Sequence, residues 1–352
     1  MTRTSAPSRP SPREFSDGVY QAFEAAERAV GGAINRYYEI GGDVVRMRFA
    51  GPALVPVLTP AFEHLRIIGA PTDPLLTIHL WDTESTGIAM PFLDVWNDCT
   101  DRGVVRGFED SGLSVTRLQM ASVCGVLDAS RGRATYWASS AEEMPSWERG
   151  APLRAILHAW WRDRDGLLLH AGAVGEDGAG ALLIGRGGSG KSTAALACLQ
   201  AGMGYLSDDY CLLIQGPRVT VNSLYCSAKL HSEDMHRFPN LVPLISSADE
   251  LGTEKAIYFL RREPESRIEM SAELRAILMP RVTGLKETRL IPASPIEAIK
   301  SLAPSAIFQL PDAGPTEFAR IAEVVKQTPC YHLECGTDLR RIPDAVKEAI
   351  RR

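Results

Sequence analysis

The spacing of apolar residues divides the chain into two differently patterned parts. From Phe15 to about Tyr38, apolar residues recur at helical spacing, with an interruption at Gly31-Gly32. Beyond Gly41-Gly42 the pattern changes to a period of two, which is typical of half-buried strands. Such β-like runs lie at 44–50, 75–81, 104–105, 113–118 and 134–138. Residues 15–150 are therefore predicted to form an N-terminal β-rich module with a helix.

Residues 151–352 mix longer periodic segments with short apolar runs. The spacing predicts helices at 151–162, 192–199, 318–325 and 343–350, and strands at 167–174, 181–184, 211–214, 255–260, 276–280 and 331–333. The Asp177-Gly178 pair between two of these strands predicts a hairpin. Its first arm would carry His170. The predicted fold class is α/β, with an α+β mixed sheet.

A glycine-rich stretch follows the second arm of that hairpin. Glycines let consecutive backbone N–H groups turn around a polyphosphate without Cβ clashes. A lysine in such a loop can reach the β and γ oxygens of a nucleotide, and a neighbouring serine can complete a Mg²⁺ shell. Residues 185–192 match G-x-x-x-x-G-K-[ST], and these eight with the next residue are predicted to bind nucleotide: Gly185, Arg186, Gly187, Gly188, Ser189, Gly190, Lys191, Ser192 and Thr193.

Two adjacent carboxylates, Asp208 and Asp209, come shortly after the helix that follows this loop. One carboxylate can hold Mg²⁺ and the other can accept a proton from an attacking hydroxyl. Acidic pairs also occur in ordinary turns, so the pair indicates phosphoryl transfer only in combination with the loop. Lys229, Lys255 and Arg281 are candidate cations for the transferred group, with ordinary surface positions as the alternative.

Composition limits the class of protein. The chain of 352 residues, with 45% hydrophobic and 23% charged residues, is typical of a globular protein of two domains. The net charge of −5 gives no electrostatic reason to expect nucleic acid or a membrane surface as partner. Residues 1–14 are rich in Ser, Pro and Arg and are expected to be a disordered lead-in rather than a secretory signal.

The cysteines add no metal site or disulfide to the predicted fold. The seven cysteines are scattered and form no C-x-x-C pair, so neither structural zinc nor a disulfide framework is predicted. Together with the absence of any apolar run of bilayer-spanning length, this leads to an expected cytoplasmic location.

Taken together, His170, the glycine-rich loop and Asp208-Asp209 resemble the kinase domain of HPr kinase/phosphorylase, a fold related to phosphoenolpyruvate carboxykinase. Their order and spacing match that family's HG…G-x-x-G-x-GKS…DD pattern. The resemblance implies a P-loop kinase domain over residues 151–352 that uses ATP and Mg²⁺. It also implies site roles: Asp208 as catalytic base toward a serine hydroxyl, Lys191 on the nucleotide phosphates, Ser192 and Asp209 at Mg²⁺, and His170 near the transferred phosphate. Arg281 is counted with the catalytic residues as a candidate cation.

One stretch departs from that family. Its bifunctional members carry Glu-Ile-Arg-Gly after the aspartates, where this chain has residues 221–230, so neither HPr as acceptor nor the reverse reaction is expected. The chain is more similar to the divergent serine kinases found beside peptide natural-product genes, including lasso-peptide clusters. The shared stretches include Leu-His-Ala-Gly-Ala-Val, Ser-Asp-Asp-Tyr, Ser-Ala-Lys-Leu and Pro280-Arg281.

The expected function is transfer of the γ-phosphoryl of ATP to a Ser or Thr hydroxyl of a protein or precursor peptide. Two alternatives remain open at this point. One is a kinase for a small hydroxylated metabolite such as free serine, and a long groove beside Asp208 would argue against it. The other is a nucleotide-binding regulator or ATPase without an acceptor. Relatives of this fold often assemble, which leaves a homo-oligomer open.

Overall fold

The computed structural model describes residues 9–240, 255–260 and 267–352. The chain is a mixed α/β protein that divides into two compact units. The first comprises Met1–Tyr37, Val44–Val57 and Ala70–Met144, and the second comprises Tyr38–Asp43, Leu58–Gly69 and Pro145–Arg352. Two segments from within the predicted N-terminal module thus belong to the second unit. Among the described residues, no helix is both long and apolar enough to cross a bilayer.

The N-terminal part of the chain builds a seven-stranded mixed sheet. Its strands are β1 (Ala33–Ile40), β2 (Asp43–Ala50), β3 (Arg66–Ile67), β4 (Leu76–Asp82), β5 (Leu113–Leu118), β6 (Val123–Asp128) and β7 (Arg133–Ala138), in the order β3-β1-β2-β4-β7-β6-β5. The pairs β2–β4 and β4–β7 are parallel, whereas β5–β6 and β6–β7 are antiparallel. The helices of this part are α1 (Pro12–Ala29), α2 (Val55–Leu58), α3 (Thr83–Thr86) and α4 (Leu93–Trp96).

The first helix differs from its prediction at both ends. It begins at Pro12, within the expected disordered lead-in, because Ser11 and Glu14 form a reciprocal capping box; residues 1–8 lie outside the described residues. It ends at Ala29, and the predicted continuation to residue 38 is wrong. Gly31 and Gly32 have φ angles of 78° and 137°, which no helix residue adopts, and β1 follows them.

Most of the predicted strands in this part are confirmed. Residues 44–50, 75–81, 113–118 and 134–138 correspond to β2, β4, β5 and β7, with ends that differ by at most one residue. The run 104–105 forms only isolated bridges. Strand β6 was not predicted because all six of its residues are buried, which removes the polar–apolar alternation.

His79 is a packing residue of the N-terminal part. Its ring lies 4.9 Å from the Tyr20 ring and 4.7 Å from the Phe23 ring, so that β4 is joined to α1. Burial lowers the pKa of His79 to about 4, and the imidazole is therefore neutral within this core.

The second part of the chain builds a nine-stranded mixed sheet and a separate two-stranded antiparallel sheet. Its strands are β8 (Gly166–Leu169), β9 (Gly172–Glu176), β10 (Ala179–Leu183), β11 (Gly204–Ser207), β12 (Cys211–Ile214), β13 (Thr220–Ser223), β14 (Ser227–Leu230), β15 (Ala256–Phe259), β16 (Ser271–Val282), β17 (Arg289–Ala293) and β18 (Cys330–Cys335). The main path is β11-β9-β10-β16-β13-β12-β8, with β18 pairing β16 and β17, while β14 and β15 pair with each other.

The helices of this part are α5 (Ser146–Gly150), α6 (Arg154–Arg162), α7 (Lys191–Gln200), α8 (Pro295–Phe308), α9 (Pro315–Gln327) and α10 (Ile342–Arg351). The predicted helices at 151–162, 192–199, 318–325 and 343–350 correspond to α6, α7, α9 and α10. Helix α8 was not predicted, because its internal Pro304 argues against a helix in the sequence.

The hairpin that leads into the glycine-rich loop is confirmed, with one correction. Strands β9 and β10 pair antiparallel. Strand β10 also pairs parallel with β16, which contains the predicted strand 276–280. The predicted strand 167–174, however, is two strands. Strand β8 pairs with β12 at the far side of the sheet, so the chain must break before it can enter β9. His170 lies in this break and not on the hairpin arm.

Candidate active site

The glycine-rich loop connects β10 to α7. Backbone φ angles are 146° at Gly185, 78° at Gly188 and 101° at Gly190, a region that residues with a Cβ rarely adopt. Gly190 is also the N-cap of α7, and a Cβ built on it would lie 3.3 Å from Val282 Cγ2. Glycine at this position is therefore required both by the backbone angle and by the contact with the end of β16.

Lys191 is folded over this loop. Its Nζ donates hydrogen bonds to the carbonyl oxygens of Gly185 at 2.7 Å and Arg186 at 3.3 Å. Burial lowers the pKa of Lys191, while the carboxylates of Asp208 and Asp209 act in the opposite direction. The lysine thus places an ammonium group at the centre of the loop, where a bound polyphosphate could replace its carbonyl partners.

A cleft of roughly 370 Å³ lies against the loop. It brings together the predicted catalytic and metal-binding residues other than Arg281, namely His170, Lys191, Ser192, Asp208 and Asp209. Its other lining residues are Gly187, Gly188, Ser189, Gly190, Thr193, Lys229, Leu230, His231, Asp234, Arg237, Lys255 and Val282.

Asp208 comes directly after β11 and is 3% exposed. Its Oδ2 accepts a hydrogen bond of 2.8 Å from the backbone N–H of Lys229. Its Oδ1 is buried and forms no hydrogen bond of normal geometry with the described residues. Burial raises the pKa of Asp208, although the nearby Ser192 hydroxyl and the Lys229 amide act against the increase. A raised pKa is a property of a general base, and the Ser192 hydroxyl is the side-chain donor close to this carboxylate.

Asp209 has the opposite environment. Its Oδ1 lies 2.9 Å from His170 Nε2, and its Oδ2 lies 2.6 Å from Lys229 Nζ. Burial alone would raise the pKa of Asp209, but the Lys229 ammonium and His170 outweigh it and hold the pKa well below the usual range. Both carboxylate oxygens are therefore engaged, and a Mg²⁺ ion at Asp209 would have to replace one of these contacts.

Lys229 connects the two carboxylates through its backbone and its side chain. It lies on β14, and its place in the sequence marks it only as one of three candidate cations. Its aliphatic stem passes Gly150, the last residue of α5, where a built Cβ would lie 2.9 Å from Lys229 Cε. Because residue 150 has no side chain, the lysine can reach Asp209. No local sequence pattern shows this contact.

His170 packs against an aromatic side chain. Its ring centroid lies 5.1 Å from that of Tyr210, and the guanidinium of Arg154 lies 6.0 Å from the Tyr210 ring. The Tyr210 ring and Asp209 thus both contact the His170 imidazole. His231 is exposed and also lines the cleft, as do Asp234 and Arg237.

Arg281 lies elsewhere. Its side chain is 63% exposed, 3.9 Å from Glu334, and it lines a second pocket of roughly 830 Å³ on the outer face of the loop. We call this the outer pocket. Gly185 and Arg186 line the outer pocket and are not among the residues that line the cleft. The predicted catalytic residues are thus distributed over two neighbouring spaces.

The described residues contain no group of three or more His, Cys, Asp or Glu side chains arranged to hold a metal ion. Magnesium in nucleotide sites is usually held by one or two protein oxygens together with phosphate oxygens and water. The Ser192 hydroxyl, joined by an Asp209 oxygen if that oxygen gives up its contact with His170 or Lys229, offers such a partial donor set in the cleft. The residues present therefore fit a magnesium ion that arrives with a nucleotide.

No family model matches this sequence, and no curated protein matches it either. Among solved structures, the chain is similar to the HPr(Ser) kinase/phosphatase from Coxiella burnetii, with a TM-score of 0.28 and 12% sequence identity. The match covers 52% of this chain and 93% of that one. This is a weak similarity at the level of the fold.

Proposed function

We propose that the protein is an ATP-dependent phosphotransferase that moves the γ-phosphoryl group to a Ser or Thr hydroxyl of a protein or precursor peptide. The observation that carries the proposal is the position of Asp208. It is a buried carboxylate with one unengaged oxygen, in the same cleft as a phosphate-binding loop. A protein that only bound nucleotide would have no need to bury such a group, because an unpaired buried charge is unfavourable.

Binding of the nucleotide follows from the loop. Backbone N–H groups of the loop and the first turn of α7 would donate to the phosphate oxygens, and the helix dipole favours the same anion. Lys191 would exchange its contacts with the Gly185 and Arg186 carbonyls for β and γ oxygens. Magnesium would neutralise developing phosphate charge, held by Ser192, with Asp209 able to join only in place of His170 or Lys229.

Proton transfer follows from Asp208. An acceptor hydroxyl within hydrogen-bond reach of Oδ1 would give its proton to that oxygen as its own oxygen bonds to the γ-phosphorus. The bond from the γ-phosphorus to the β–γ bridging oxygen breaks, and ADP leaves with the bonding electron pair. The Lys229 ammonium, fixed beside Asp209, adds positive charge to the wall that faces the transferred group.

The side chains at one side of the cleft support a large acceptor. His231 and the short helix that follows it, Ser232–Arg237, contribute His231, Asp234 and Arg237 to the lining, and these residues are exposed or half-buried. An extended peptide could contact these side chains together with Asp208, whereas an acceptor as small as free serine would leave most of them without a contact.

The test is phosphoryl transfer itself. The protein, Mg²⁺ and γ-labelled ATP are incubated with candidate peptides, and intact-mass analysis should find an increase of about 80 Da, one phosphoryl group, on the acceptor. Asp208→Asn should remove transfer while nucleotide binding is kept. Asp163→Asn, at a side chain that is 62% exposed, is the matched control and should behave as the parent. Equal transfer by Asp208→Asn and the parent would contradict the assignment of the base.

A further inference from the structure

The outer pocket adjoins the same loop as the cleft but holds none of the acidic pair. The two spaces meet at Gly187, Gly188, Ser189 and Val282, which line both. A ligand bound along the loop can therefore extend from one space into the other. The far wall of the outer pocket is α8, where the Ser301 hydroxyl lies 3.8 Å from a Cβ built on Gly185.

The chemistry of transfer fixes which part of the nucleotide enters each space. In phosphoryl transfer, the attacking and leaving oxygens lie on opposite sides of the phosphorus, roughly in line. The attacking hydroxyl must lie beside Asp208, in the cleft, so the leaving ADP must extend away from Asp208. Asp208 lines the cleft and not the outer pocket, and the shared loop residues lie between the two spaces, so the outer pocket is open to the leaving group.

The charges of the outer pocket agree with this direction. Arg186, Arg281 and Lys300 are exposed cations on its wall, which suits the inner phosphates of a nucleotide. Glu297 is the acidic residue of the lining, and its carboxylate is already engaged: Oε1 lies 3.1 Å from His332 Nε2, and Oε2 accepts hydrogen bonds from Ser294. The three cations therefore outnumber the single carboxylate of the lining.

We infer that the outer pocket is the nucleoside site, which receives the ribose and base of the nucleotide while the cleft receives the γ-phosphoryl group and the acceptor. This inference rests on the proposed function, and it gives α8 and the end of β16 a role in recognition. It also assigns Arg281 to nucleotide binding and not to the reacting centre.

The experiment compares two ligands that differ only in the nucleoside. Affinities for Mg-ATP and for Mg-tripolyphosphate are measured by calorimetry on the parent and on Ser301→Trp, which fills the outer pocket. Ser301→Trp should weaken ATP binding by roughly tenfold, equivalent to about 1.4 kcal/mol, and change tripolyphosphate binding little. Ile296→Trp, on the same helix at a side chain that is 64% exposed and outside the pocket lining, is the matched control.

The outcomes separate the inference from the proposed function. If the parent binds ATP and transfers phosphoryl while Ser301→Trp keeps full ATP affinity, the pocket assignment alone is overturned. If Ser301→Trp weakens the binding of both ligands equally, the parent is photolabelled with 8-azido-ATP. Adducts at 279–282 or 295–304 support the inference, and adducts at 229–237 overturn it. A parent that binds neither ligand overturns both the inference and the function.

Discussion

Lys229 Nζ lies 2.6 Å from Asp209 Oδ2, while the backbone N–H of the same lysine donates to Asp208 Oδ2. One residue of β14 thus holds both members of an acidic pair. The pair is nevertheless unequal, because the pKa of Asp208 is raised by burial and that of Asp209 is lowered by its cationic partners. Two carboxylates whose environments separate their pKa values in this way are suited to different roles.

Removal of the Lys229 ammonium should destabilise the fold at neutral pH. In Lys229→Met, Asp209 keeps His170 but loses its cation, which should cost roughly 3 kcal/mol for a largely buried pair. The folded-state pKa of Asp209 is depressed, so the stabilisation is present above the unfolded carboxyl's pKa and is lost as the pH falls below about 4. Urea unfolding across this range measures it.

The control for that experiment is the double variant Lys229→Met/Asp209→Asn, which removes the unpaired charge and should recover part of the lost stability. If Lys229→Met lowers the free energy of unfolding equally at every pH, and the double variant recovers none of it, Lys229 stabilises the fold only through the packing of its aliphatic stem.

Gly150→Ala should slow phosphoryl transfer without a loss of nucleotide affinity. The new methyl group would lie 2.9 Å from Lys229 Cε and would displace the ammonium from Asp209. A small displacement of a positioning group can reduce turnover by roughly tenfold or more. The measurement is kcat for transfer together with the Kd for Mg-ATP. Gly216→Ala, whose nearest neighbour is a backbone oxygen at 3.6 Å, is the matched control. Unchanged kcat in Gly150→Ala would rule out this positioning role.

Asp208→Asn should make the folded protein more stable while it abolishes transfer. The folded-state pKa of Asp208 is raised, so burial of this carboxyl opposes folding above its unfolded pKa; the penalty is complete above the folded pKa, shrinks as the pH falls below that value and is gone below the unfolded pKa. The amide oxygen of Asn can still accept the Lys229 N–H. Thermal unfolding near pH 7 should show a gain on the order of 1 kcal/mol. A less stable variant would mean that favourable contacts of the Asp208 carboxylate in the folded state outweigh the cost of its burial.

Two glycines of the loop should differ in their tolerance of a methyl group. Gly190→Ala places a Cβ at a φ of 101° and 3.3 Å from Val282, and should destabilise the nucleotide-free protein by about 1 kcal/mol or more. Gly187 has no positive φ and no atom within 4 Å of a built Cβ, so Gly187→Ala should unfold at the parental urea concentration. Equal effects of the two changes would contradict the loop geometry.

Local sequence signals predicted the elements that depend on local physics. The glycine-rich loop, the Asp177-Gly178 turn and the strands with alternating polarity all occur where periodicity and turn chemistry place them. Features that depend on contacts between residues far apart in the sequence could not be predicted from local patterns. β6 is buried on both faces, and His170 leaves its strand because β8 and β9 lie on different sides of the sheet. The contact of Lys229 with Asp209 requires β14 to pack beside residues 208–209, which no local pattern encodes.

The two anchors supplied by position 229 differ in how they respond to mutation. Since Asp208 is held by a main-chain N–H, every amino acid except proline can supply that hydrogen bond. Asp209 depends on the ammonium and is released by almost any replacement. Substitution of residue 229 by each of the other amino acids should therefore give variants with graded transfer activity that all keep Asp208 oriented, with proline as the single inactive one. The orientation of Asp208 depends on the main chain at position 229, and only the contact with Asp209 depends on which side chain stands there.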